Sequence, residues 1–151
     1  MFQKQPWMQR AGEYPQSDKE YFNLLARAVF SAGLGPKVVE SRWKDVGGAF
    51  HGFDPVEVRT MDESDVGRLL SDPAVIRNRR KIEAVIKNAD TFLEKTKKHK
   101  SFHAYLGKLG AASDLDATAE ELAQTFTHLG RTSALFFLFS AGWRPQDEGG
   151  A

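Results

Sequence analysis

Apolar residues along this chain recur at three- and four-residue spacing and nowhere alternate over the length of a strand, so the pattern predicts helices throughout. Ser17, with Glu20 three positions on, reads as a capping box. The helix it opens buries Tyr21, Phe22, Leu24, Leu25, Ala28 and Val29 on one broad face. Gly33-Leu34-Gly35-Pro36 ends that helix and begins another, with Pro36 at the first helical position. Val38, Val39 and Trp43 mark the next helix, Gly47-Gly48 breaks it, and Asp54-Pro55 starts a short one carrying Val56 and Val58.

The segment from Asp62 to Leu93 organises the rest. It predicts two helices joined by a very short turn, the first capped by Asp62 and stopped by Ser71-Asp72-Pro73. Asn78 caps the second, whose buried stripe is Ile82, Val85, Ile86, Ala89, Phe92 and Leu93. Lys95, Lys97, Lys98, His99 and Lys100 then read as a frayed helix end, where cations suit the dipole. Ser101 caps a short helical piece with Phe102, Tyr105 and Leu106, and Gly107 to Asp116 reads as a loop. Thr118 and Glu121 form a further capping box, and an almost wholly apolar helix runs from about Ser133 to Ala141. Residues 1–16 have no period and read as an arm, 17–144 as one compact all-α domain, and 145–151 as a loose tail.

Composition narrows the chemistry. With 151 residues, 41% hydrophobic and 27% charged, the chain can bury one sizeable core. The formal net charge is only +1, so any contact with nucleic acid must depend on where cations cluster. They cluster at Arg77, Arg79, Arg80 and Lys81 around Asn78, at the start of the second hairpin helix. Cations there oppose the helix dipole, which favours an anion. Arginines and free amides together would hold a phosphate, whereas the plainer reading is a solvated charged face. The chain contains no cysteine, which excludes disulfides and thiolate metal sites and fits a cytoplasmic location. His99 and His103 are four apart but have no third ligand nearby, so neither a metal nor a cofactor is expected. No apolar run reaches membrane-spanning length, and Met1 to Pro6 lack a signal-peptide core. Glu13, Asp18, Glu40 and Asp45 are the carboxylates nearest the expected pocket in sequence, each a surface residue by default. Trp7 either tucks against the body or lines a pocket. Leu34, set between two glycines, is either a core plug or a wedge for a base stack.

The segments Phe53-Asp54-Pro55-Val56, Ile76-Arg77-Asn78-Arg79-Arg80-Lys81-Ile82, Asn88-Ala89 and Ala32-Gly33-Leu34 resemble the DNA-3-methyladenine glycosylase I family over roughly residues 15–93. The resemblance implies a compact helical domain of the helix-hairpin-helix DNA glycosylase type. It implies a monomer that hydrolyses the N-glycosidic bond of an alkylated purine flipped from damaged double-stranded DNA, in base excision repair. Gly33 and Leu34 would enter the gap in the DNA. Arg77, Asn78, Arg79, Arg80 and Lys81 would grip its backbone, and the base would stack on Trp7 or Phe30. The family's base-binding Glu falls at Ala28 and its following Trp at Pro36, so the pocket residues are Trp7, Ala28, Phe30 and Pro36. The catalytic group is left open. The family's cysteine- and histidine-built zinc site cannot form here. Losing that Glu removes a charge-assisted contact worth about 1.5–3 kcal/mol, so an altered base preference is expected. A non-catalytic DNA-binding or lesion-sensing module is the alternative, and a helical protein-interaction domain a third.

Overall fold

The computed structural model describes residues 2–144, the side chain of Pro36 excepted, so the expected tail at 145–151 lies outside the described residues. Nine α-helices and no strand occur among those residues. They are α1 (Asp18–Ser31), α2 (Pro36–Glu40), α3 (Trp43–Ala49), α4 (Pro55–Val58), α5 (Glu63–Ser71), α6 (Arg79–His99), α7 (Phe102–Lys108), α8 (Leu115–Thr125) and α9 (Arg131–Ser140), with one 3-10 turn at His51–Phe53. No helix is long and apolar enough to cross a membrane.

Helix α1 is the hub. Its Ser17 hydroxyl accepts from the Glu20 amide, and Tyr21, Phe22, Leu25, Ala28 and Val29 are all buried. It packs against α6, α7 and α9 at once, so apolar side chains are required on more than one face. In α6, Ile82, Val85, Ala89 and Phe92 supply the stripe read from sequence. Asn88 is buried within that stripe because its amide clips the Thr127 backbone in both directions, at 3.0 and 2.9 Å. The Phe92 ring stacks on Phe102 and meets Phe22 edge-on, joining α1, α6 and α7.

Several expected boundaries move, each for a local reason. The turn between α5 and α6 is not very short. It runs from Asp72 to Asn78, with the Asp72 carboxylate accepting the Ala74 amide at 2.9 Å and with Val75 and Ile76 buried as anchors. The cap of α8 is Asp114, which accepts from the Ala117 amide at 3.0 Å. Thr118 lies buried inside the helix, its hydroxyl donating to the Asp114 carbonyl four residues back. The lysine-rich end of α6 does not fray but stays helical to His99, where Lys100 closes it in the left-handed region at φ 76°.

Candidate active site

The site begins where α1 stops. Gly33 and Gly35 have φ of 81° and 88°, values a side chain would strain, and they form the turn that separates α1 from α2. Leu34 between them is 41% exposed and projects from the turn, so it is not a core plug. Both the Leu34 and Gly35 amides donate to the Ser31 carbonyl, at 3.1 and 3.0 Å, which fixes the turn to the helix end.

Lys81 holds this turn from behind. Its ammonium donates to the Phe30 carbonyl at 3.2 Å and also to the Ala32 carbonyl. The negative end of α1 thus meets the basic N-terminus of α6, and the unfavourable placement of cations at α6 is offset by the carbonyls of another helix. Burial lowers the Lys81 pKa from its ordinary value. Asn78 is occupied as the α6 cap, accepting from the Lys81 amide at 3.1 Å. Arg79 is ion-paired with Glu63 at 2.7 Å and with Glu83 at 3.9 Å. Arg77 and Arg80 are exposed and make no ion pair among the described residues, and the Arg79 and Arg80 amides have no protein acceptor there. The five residues expected to act alike therefore divide. Two are free cations, one caps, one is paired across the hairpin, and one braces the Leu34 turn.

A hollow of about 290 Å³ opens beside that turn. Ala28 and Ser31 of α1, Gly33 and Gly35, Thr132 and Phe136 of α9, and Phe2 of the arm form its walls. That volume sits at the small end of ligand clefts, about 300 Å³. No carboxylate lines the hollow among the described residues. Asp18 accepts the Phe102 amide at 2.8 Å instead, and Glu13, Glu40 and Asp45 are exposed. Phe30 belongs to the core, fully buried and edge-on to Trp43 and Phe50 with ring centroids 6.0 Å from each. The ring of Pro36 lies outside the described side chains.

Trp7 does not share a cleft with Ala28. It lines a neighbouring one with Asn23 and Leu24, and its ring meets Phe136 edge-on at 6.0 Å. Its face is taken by Arg27, whose guanidinium carbon lies 3.6 Å from the ring centroid. Sequence reasoning passed over Arg27. The available signal was a cation inside the apolar run from Leu24 to Val29. Burial pushes its pKa down to about 10, while the charge of Glu40 opposes that shift.

The arm is fastened to the far end of the chain. The Gln9 amide donates to the Ser140 carbonyl and the Gly12 amide to the Gly142 carbonyl, both at 2.9 Å, and the Arg144 guanidinium reaches the Gln9 carbonyl at 2.8 Å. Tyr14 stacks on Trp143 at 4.2 Å, and the Trp143 indole N–H donates to the Tyr21 hydroxyl at 3.1 Å. That hydroxyl also shares a hydrogen bond of 2.7 Å with His103 Nδ1. His99 instead packs on the Tyr105 ring, and no cluster of three or more metal-binding side chains occurs among the described residues. A hydrogen-bonded aromatic clasp therefore holds the arm, and Arg144 is part of it.

Comparison with known proteins bears on the family and the fold. The chain is 40% identical over 81 residues to DNA-3-methyladenine glycosylase 1 of Escherichia coli, covering 53% of this chain and 43% of that protein. It is 32% identical over 93 residues to DNA-3-methyladenine glycosylase of Haemophilus influenzae, covering 61% and 50%. The chain thus spans about half the length of the curated relatives it matches. Among solved structures, a variant of 3-methyladenine DNA glycosylase I in complex with 3-methyladenine superposes with a TM-score of 0.81 at 26% identity, covering 93% of this chain and 88% of that one. The Staphylococcus aureus enzyme, from a study of 3-methyladenine recognition, gives 0.80 at 25% identity, with 93% and 87% covered. Residues 6–136 match the methyladenine glycosylase family model, and the chain belongs to that family.

Proposed function

We propose that this chain is a DNA glycosylase, acting as a cytoplasmic monomer, that hydrolyses the N-glycosidic bond of an alkylated purine turned out of duplex DNA. The observation that carries the reading is the hollow beside Ala28, one wall of which is the turn that projects Leu34. A base leaving its stack needs a receptacle and something to fill the gap, and here the two adjoin. Arg77, Arg80 and the free amides at the start of α6 face solvent, where a phosphate would find both charge and donors. Lys81 ties this grip to the wedge, so the register of one on the duplex sets the place of the other. Hydrolysis breaks the bond between the sugar C1′ and the base nitrogen, with water delivering hydroxyl to C1′.

The test is to incubate the protein with alkylated duplex DNA and follow free purines by chromatography alongside abasic sites. Release above the spontaneous rate is expected. Silence across a panel of neutral and cationic lesions would overturn the reading. Removing Arg77 or Arg80 should lower the salt slope of duplex binding by about 0.9 each.

A further inference from the structure

Arg27 is the group that the reading above leaves unused. It lies on α1 immediately before Ala28 and is only 6% exposed. A guanidinium so placed is ordinarily paired, because without acceptors it forfeits its hydration for nothing. Yet Nε and Nη2 are both shielded and meet no acceptor. No ion pair reaches it among the described residues, and exposed Glu40 acts on it only through its charge. Its neighbours are indoles, Trp7 at 3.6 Å and Trp43 at 5.5 Å. Trp7 also has a buried N–H with no partner, and it stands against Phe136, a wall of the hollow. Trp7 of the arm thus stands between a buried guanidinium and a base-sized space, and it covers the cation much as a flat aromatic ligand would.

We infer that Arg27 reads the extruded base and selects neutral alkylated purines, which offer lone pairs, over cationic ones. The inference rests on the glycosylase reading and names the substrate class of that same site. When a neutral lesion is cut, the C1′–N electron pair stays on the base. Water gives its hydroxyl to C1′, and its remaining proton ends on the base. Negative charge develops on the base during that step, and a largely buried guanidinium stabilises it once the base replaces Trp7 on its face. A cationic purine leaves as a neutral molecule, so it gains nothing from Arg27 and is repelled on arrival. Ala28 brings no opposing charge to the hollow. With a pKa of about 10, Arg27 keeps its proton at neutral pH.

The test uses the full chain and matched duplexes carrying one ethenoadenine, which is neutral, or one 7-methylguanine, which is cationic. Single-turnover excision and equilibrium binding are measured for the wild type, Arg27→Met and Arg27→Lys. The wild type should favour ethenoadenine. Arg27→Met should lose about tenfold to a hundredfold on that lesion, the worth of one charge-assisted hydrogen bond, with 7-methylguanine unchanged or improved. Arg27→Lys, which keeps the charge and the fold, should retain the preference. Ala28→Glu, which sets a carboxylate next to the cation, should swing it toward 7-methylguanine. Equal losses on both lesions would mean that Arg27 only clamps the arm, and a wild-type preference for 7-methylguanine would also overturn the inference. If neither base is released but binding keeps the Arg27-dependent preference, the inference stands and the glycosylase reading falls. Release without any discrimination gives the reverse.

Discussion

Lys81→Met distinguishes a brace from a phosphate contact at one position. Methionine keeps an unbranched stem and removes only the ammonium, which donates to the Phe30 and Ala32 carbonyls. A hydrogen bond from a charged donor is worth about 1.5–3 kcal/mol, and a cation at a helix C-terminus adds about 0.3–1 kcal/mol. Desolvation, which also lowers the Lys81 pKa, takes part of that back. A net loss of about 1–2 kcal/mol follows, and at about 2–4 °C per kcal/mol for a chain of this size Tm should fall by roughly 2–8 °C. Circular dichroism melting measures the fall. Two functional readouts then separate the roles. A brace predicts an unchanged salt slope for duplex binding, together with slower excision of paired lesions than of the same lesions in single strands, where no wedge is needed. A phosphate contact predicts a slope smaller by about 0.9 and no preference for strandedness. An unaltered Tm with a reduced slope would refute the brace.

Leu34→Ala should slow excision from duplexes more than from single strands, because unstacking a paired base costs a few kcal/mol that an alanine cannot offset. Equal slowing on both substrates would rule out the wedge. At Gly142 (φ 90°) an added Cβ would lie 2.7 Å from the Arg10 and Glu13 carbonyl oxygens, so Gly142→Ala should cost at least about 1–2 kcal/mol. It should also shift Trp7 emission to the red as the arm lifts, and a variant as stable as the wild type would remove the clasp. The Asp65 carboxylate accepts the Asp62 amide at 2.9 Å and lies near Arg68, which holds its pKa below the ordinary carboxyl value. Its contribution is therefore present above that ordinary value and fades as pH falls through the depressed one. Denaturant midpoints of wild type and Asp65→Asn should differ at neutral pH and converge in acid.

Local chemistry made much of this fold legible. Ser17, Asp62, Asn78 and Ser101 each cap the helix expected of them, because a cap and its amide lie within three residues. The same rule misplaced the start of α8. Thr118 and Glu121 have the spacing of a box, but Asp114 offers a better acceptor and a buried threonine can satisfy itself on an i−4 carbonyl. The site was less legible because its contacts cross the chain. Nothing near Lys81 announces carbonyls 49 and 51 residues away, and nothing near Arg79 announces Glu63. Phe30 and Ala28 are two apart on one helix, yet they face different surroundings. One is pinned by Trp43 and Phe50, and the other opens on a space formed by α9 and the arm. Arg27 escaped notice because propensity treats arginine as an ordinary helix former and says nothing about whether its donors find acceptors.

The clasp between arm and α9 sets an order of events during synthesis. Gln9 leaves the ribosome early, but the guanidinium that donates to its carbonyl is 135 residues behind it. Closing so long a loop brings no reward until the late segment exists, so Phe2 and Trp7 can take their places only on a completed body. Thr132 and Phe136 of α9 and Phe2 of the arm wall the hollow beside Ala28, so that hollow is complete only when the last helix has been made.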